Sequence, residues 1–395
     1  MNATRIKWIN GLKGIACMWV FFHHFILTFY KATLSGDPAD SLTESGIDAA
    51  MAYQPYGVII NGNVPVCLFL IISAFLFAGK VIKLKMQEKE VDFLNICVNR
   101  YLRLMLNVAV IGVTIYLINN IAALIVPGLQ LLPFHLNFIQ LILEVLFFQW
   151  IMPSASILGT LWTMEYFLLG AIFAAFLGTW SAKKRWYMPF IYLFISFPLE
   201  YLLPHNFNII LGVILADIYY HNRIEQYFEF FNQKPLYLRF CENVILKNVV
   251  GIIMVLTGLF IGSYPSLAIP VNPVHVFFMK LFGKIFPASS MTAIHGLSVF
   301  IMMAGLLMVT THPILSSKLL DKLGEISMGV YLQHGLVIGL LGVKVIPSLL
   351  TAFDNYHLAV LVIFIITLIL TLVTAWLYHI IIEKWIDRIV KKIRL

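Results

Sequence analysis

Charge is what this 395-residue chain has least of: only 12% of its residues are Asp, Glu, Lys or Arg, against 61% hydrophobic. A water-soluble chain of this length could not hide so much apolar surface, which excludes a soluble globular enzyme. Cysteine is scarce as well. The four present (Cys17, Cys67, Cys97 and Cys241) are scattered, and three lie in or beside apolar runs. Their spacing fits neither a disulfide framework nor a metal site, so they read as packing residues. Internal repeats and low-complexity tracts are missing, and neither end carries a soluble catalytic segment. A formal net charge of +8 would suit nucleic acid. The positions of the charges argue otherwise, because they fall in short segments between apolar runs, as the positive-inside rule expects.

What is there is a series of apolar runs. They define an all-α, polytopic integral membrane protein with about ten spans. The spans lie near 9–30, 58–79, 104–126, 157–178, 187–203, 206–220, 248–264, 295–312, 324–346 and 358–382. Lys and Arg gather at the N-terminus, in 80–103, at Lys183-Lys184-Arg185, in 221–247, at Lys318 and Lys322, and in the tail Lys391-Lys392-Ile393-Arg394. Alternate connections differ: 31–57 carries Asp37, Asp40, Glu44 and Asp48, and 127–136 and 347–357 have no Lys or Arg. That parity places both termini in the cytoplasm. The exception, 265–294, sets Lys280 and Lys284 among phenylalanines and reads as an amphipathic stretch on the outer surface. Segment 137–151 is too short to span and reads as interfacial or re-entrant. The basic lead-in Arg5, Lys7, Lys13 is signal-like, but two histidines, the run's length and the later spans favour an uncleaved helix. The expectation is one membrane domain over 1–395 with no appended soluble domain.

Ionisable groups inside spans are expensive and usually functional. Lys13 and His24 both lie on the first span. Their separation is almost three helical turns, so they share a face and stand roughly 16 Å apart along the axis. A cation near the cytoplasmic surface and an imidazole deeper in the bilayer form a path from the cytosol into the membrane. Histidine titrates near neutral pH and can take a proton from a hydroxyl, which makes His24 a candidate general base; the bland reading is a structural interhelical histidine. His23 points about 100° away from it.

Glu165, in Leu161-Trp162-Thr163-Met164-Glu165-Tyr166-Phe167, falls at a depth similar to that of His24, about 10 Å below the outer surface. A carboxylate there could hold the imidazole's tautomer as the acid of a hydrolytic triad does, or form an interhelical hydrogen bond unrelated to catalysis. Arg100 and Arg103 open the third span on one helical face. They suit phosphate binding, although taken alone topology-setting charge is the simpler explanation. His334 lies near the middle of the ninth span, with structural and functional readings balanced. The other histidines lie mostly near loop ends and call for no special account. Asn119-Asn120, Glu144 and Asp217 read as solvated or capping groups near the membrane surfaces.

Taken in order, several stretches resemble the acyltransferase 3 family of membrane O-acyltransferases. Ile9-Asn10-Gly11-Leu12-Lys13-Gly14-Ile15-Ala16 followed by His24 is similar to the family's Arg-x10-His first helix. Val64 to Phe75, with Phe69 and Ser73-Ala74-Phe75, resembles its second helix, and Arg100-x-x-Arg103 the start of its third. Leu161-Trp162-Thr163 with Glu165, then Gly324-x-Ile326-Ser327 through Tyr331-Leu332-x-His334, resemble later segments. His379-Ile380-Ile381-Ile382-Glu383-Lys384 is similar to the final helix. Lys13 stands where Arg is usual, keeping the charge and losing the bidentate fork. Ala74 replaces a common Gly, Met105 stands where a proline is often nearby, and Glu165 sits closer to Trp162 than the family's glutamate does.

The resemblance implies transfer of an acyl group, acetyl from cytosolic acetyl-CoA, to a sugar hydroxyl of a cell-surface glycan or its lipid-linked precursor. It implies His24 and Glu165 as catalytic groups, Lys13, Arg100 and Arg103 as the acyl-CoA binding set, and Ser73, Tyr331 and His334 as substrate or supporting groups. No metal and no nucleic acid take part, and the location is a bacterial-type inner membrane, with membrane lipids around the chain and a homo-oligomer open. A proton-coupled transporter or flippase of a glycan lipid is the alternative from another class, with His and Glu as a proton relay. Such proteins often show inverted halves and broken helices, neither of which is visible here. An inactive scaffolding member is the third.

Overall fold

In the computed structural model, residues 7–43, 45–53, 55–125, 138–147, 162–202 and 205–393 are described. Among them the chain is all-helical and no strand forms. α1 (Lys7–Phe29) is followed by a connection holding the short α2 (Ala32–Ser35) and α3 (Ile47–Ala50). Then come α4 (Asn63–Met86), α5 (Phe93–Ile125), α6 (Phe138–Phe147), α7 (Thr163–Trp180), α8 (Met188–Leu202) and α9 (Asn206–His221). α10 (Arg223–Phe230), α11 (Lys234–Glu242), α12 (Val244–Gly262), α13 (Pro273–Ile285) and α14 (Ser290–Met308) follow. The C-terminal part holds α15 (Lys318–Glu325), α16 (Ser327–Val337), α17 (Lys344–Phe353), α18 (Tyr356–Tyr378) and α19 (Lys384–Lys392). π-helical turns over Ile338–Val343 and His379–Glu383 join α16 to α17 and α18 to α19.

Among the described residues, seven helices are long and apolar enough to cross a membrane: α1, α4, α5, α7, α12, α14, and α18 continued into α19. The other three expected spans fall on shorter helices, α8, α9 and α16. Boundaries moved where polar residues join a helix that hydropathy alone cannot see. α5 begins at Phe93 because the polar lead-in to Arg103 is itself helical. The second span begins late because Pro55–Ile60 forms a 3-10 helix, and α4 starts only at Asn63. The ninth breaks at Ile326, where the Ser327 hydroxyl bonds back to the Gly324 carbonyl at 2.9 Å. Ten residues of α6 are described, a rise of about 15 Å. α13 turns Lys280, Lys284 and Phe277 outward and buries His275 and Phe282. Arg5, the 127–136 connection, residues 148–151, Leu161, Arg394 and the Asn119 and Glu144 side chains lie outside the description.

The chain divides into two compact units. One comprises Met1–Phe25, Leu94–Leu168 and Ser317–Leu395; the other comprises Ile26–Phe93 and Leu169–Ser316. Helices in lipid gain no hydrophobic drive from pairing, so small residues and buried polar bonds bring them together. In the second unit, a Cβ added at Gly305 would stand 2.5 Å from the Gly251 carbonyl, and one at Gly258 would stand 2.7 Å from that of Ser298. α12 and α14 therefore cross backbone to backbone. Gly212 brings α9 equally close to α4, at 2.6 Å from the Ile71 carbonyl. His295, on α14, is fully buried in this unit and is a junction after all. Its Nε2 lies 2.8 Å from the Tyr264 carbonyl and its Nδ1 lies 2.8 Å from the Asn63 amide.

Asp217 also departs from the sequence reading. It is fully buried rather than solvated, and accepts from Arg223 Nε at 2.8 Å and Nη2 at 3.1 Å, and from the Ser181 hydroxyl. The remaining Arg223 donors go to the Lys183 and Ala182 carbonyls and Gln226 Oε1, at 2.8, 2.8 and 2.9 Å. All five guanidinium N–H groups are thus used. The pair clamps the basic segment after α7 to the end of α9. D217N keeps the shape but strands a buried cation, at a cost of about 3–5 kcal/mol. A lower thermal midpoint in detergent, restored by D217L combined with R223M, is the expected result. An unchanged midpoint would mean that the pair is solvated.

Candidate active site

Every residue in the following geometry belongs to the first unit. α1 is held along its length by α15 and α16. Near its start, Asn10 Nδ2 donates to the Asp321 carbonyl at 2.7 Å and to its carboxylate at 2.8 Å. One turn on, a Cβ at Gly14 would lie 2.8 Å from the Gly324 backbone nitrogen, so no larger residue fits without a shift. Phe25 packs on Phe364 of α18 with ring centroids 5.0 Å apart. The stretches Asn10–Gly14 and Gly324–Ser327, separate in sequence, meet here.

The far end of this contact is chemical. His24 Nδ1 lies 3.0 Å from the Val20 carbonyl and 3.2 Å from His334 Nε2. The two imidazole centroids are 4.9 Å apart. His334 is fully buried, and its Nδ1 is 3.1 Å from the Val330 carbonyl. The His23 ring meets that of His24 edge-on at 5.0 Å. Tyr331, one turn before His334, shares a 2.7 Å hydroxyl hydrogen bond with Thr163. That bond fixes the first turn of α7 beside α16 and places Glu165, two residues after Thr163, on that same turn.

The basic residues have distinct surroundings. Lys13 is half-buried, next to the Gly14 crossing. Arg100 donates Nε and Nη2 to the Phe167 carbonyl at 3.2 and 3.0 Å, tying α5 to α7. Arg103 is half-exposed and ion-paired with Asp387 of α19 at 3.0 Å. Tyr378 of α18 donates to Asn107 Oδ1 of α5 at 2.8 Å. His379 pairs with Glu383 at 2.6 Å within the π turn. Ser73 lies on α4, in the second unit. All four cysteines are free thiols, and Cys17 and Cys67 are buried.

These contacts set the imidazoles of His24 and His334 against each other, a pair chemically suited to proton transfer. The chain belongs to the acyltransferase 3 family: the family model, described as an acyltransferase domain, matches residues 6–379. The protein is therefore a membrane acyltransferase. Comparison with curated proteins and with solved structures gives no match. Sequence reasoning paired His24 with Glu165 by depth and left His334 apart. Depth alone sets His334 nearer mid-membrane than His24, so the pair emerges only from the packing of α1 on α16.

The Gly14 crossing carries a prediction. G14L overpacks α1 against α15, for about 1–3 kcal/mol. Lower recovery of folded protein from membranes is expected, with G14A intermediate. Wild-type recovery of G14L would mean that the helices are not in backbone contact.

Proposed function

We propose that this acyltransferase moves acetyl from cytosolic acetyl-CoA to a sugar hydroxyl of a cell-surface glycan or lipid-linked glycan precursor, with His24 as general base. The reading takes ten spans with both termini cytoplasmic, in a membrane of bacterial inner-membrane type. The observation that carries it is the setting of His24: an imidazole on an apolar helix, with one nitrogen already engaged by Val20 and His334. The acceptor O–H proton passes to His24, and the oxygen attacks the thioester carbonyl carbon. The C–S bond breaks with its electrons on sulfur, and the imidazolium returns the proton to the leaving thiolate. The acyl group so reaches the acceptor while the anionic coenzyme stays on the cytosolic side.

Lys13, Arg100 and Arg103 supply the phosphate-binding charge in this scheme. Arg103 serves best, because an exposed ion pair such as that with Asp387 is worth at most about 1 kcal/mol and yields to a phosphate. Arg100 is mainly a positioning cation, since its fork holds the Phe167 carbonyl. Glu165 supports the imidazolium from the start of α7, and Tyr331 serves as a substrate or supporting group.

Transfer of labelled acetyl from acetyl-CoA to cell-envelope glycan, in membranes containing the protein or His24→Ala, tests the reading. Label should enter glycan with the intact protein and fall about 10²–10⁴-fold in the variant. Equal label in both would remove His24 from the chemistry. No label in either, with protein-dependent glycan-lipid movement, would favour a transporter. Separately, D387N frees Arg103 and should lower KM for acetyl-CoA by up to about fivefold with kcat unchanged. An unchanged or higher KM would place the phosphates elsewhere.

A further inference from the structure

We infer that His334 is the positioning residue that sets the tautomer of His24, leaving the lone pair on His24 Nε2. The inference rests on the reading of His24 as base and adds a second residue to it. The argument follows the protons along α16 and across to α1. His334 Nδ1 faces the Val330 carbonyl at 3.1 Å, and a carbonyl can only accept, so Nδ1 carries the hydrogen. A neutral imidazole has one N–H, so His334 Nε2 holds a lone pair. That lone pair faces His24 Nδ1 at 3.2 Å, and the Val20 carbonyl faces the same nitrogen at 3.0 Å. Two acceptors converge on His24 Nδ1, which therefore carries its hydrogen, so in the neutral ring the lone pair that takes the acceptor's proton is on Nε2.

This is the task a buried carboxylate performs in a hydrolytic triad, here done by a neutral acceptor. The substitution has a physical advantage in hydrocarbon. A carboxylate brings a charge that must be desolvated, whereas a neutral imidazole orients its neighbour without one. His334 is held for the purpose. It is fully buried, its Nδ1 is tied to its own helix, and the Tyr331 ring packs against it with centroids 5.9 Å apart. Tyr331 is in turn anchored by Thr163. When His24 takes the proton at Nε2, its Nδ1–H still donates to His334 Nε2, so the charge forms on a ring whose orientation does not change.

The test uses full-length protein labelled with ¹⁵N-histidine in lipid nanodiscs, with the His24 signals assigned by their loss in His24→Ala. The expected spectrum shows neutral His24 protonated at Nδ1 in the wild type. In H334L the population shifts toward Nε2–H. H334Q, which offers an acceptor oxygen near the place of Nε2, keeps Nδ1–H. H334L should lower kcat about 10- to 100-fold with little change in KM for acetyl-CoA, and H334Q should recover most of the loss. Wild-type His24 protonated at Nε2, alongside an inactive His24→Ala, overturns the tautomer assignment and leaves the base reading standing. A fully active His24→Ala overturns the base reading itself. If neither His334 variant folds, the wild-type spectrum alone decides.

Discussion

The close approach of α1 to α15 and α16 is the contact on which the site depends. Gly14 lets the backbones touch, Asn10 bonds across to Asp321, and the same alignment brings His24 to His334 further along. In lipid, neither helix gains from hiding apolar surface in the other, because lipid tails already solvate it. Backbone proximity and a few polar bonds must supply the specificity. A helix held at one end by a glycine crossing and at the other by an imidazole contact has little freedom to rotate. Its chemical face is therefore fixed along almost three turns.

The buried charges follow a common rule. Arg223 spends every donor, on Asp217, two carbonyls and Gln226, and so acts as a clamp. Arg100 caps a carbonyl of α7. Arg103 is half-exposed and ion-paired with Asp387, a contact that costs little to exchange. Burial and bonding thus separate a fully buried clamp, an arginine that ties two helices, and a half-exposed arginine in a surface ion pair.

Much of this was legible from residue types and spacing. Runs of apolar residues predicted the helices, and the Lys13 to His24 spacing predicted a shared face. The order of the short motifs predicted the family. The failures have physical causes. Hydropathy misses helix that continues into polar residues, as in α5, and breaks set by side chain to backbone bonds, as at Ser327. Asp217 read as a surface group because its partner, Arg223, lies beyond a helix end six residues on, and only the turn at Asn222 brings the two together. The partner of His24 lay 310 residues away. Depth arithmetic offers Glu165 as a neighbour of His24, whereas the contact with His334 depends on how α1 and α16 pack.

A double-mutant cycle on acetyl transfer between His24 and His334 tests the central claim most directly. If the two imidazoles act as one unit, the His24→Ala, His334→Leu double variant is no slower than His24→Ala alone, because His334 works only through His24. If the two losses multiply, the histidines act independently and the account of a paired site is wrong.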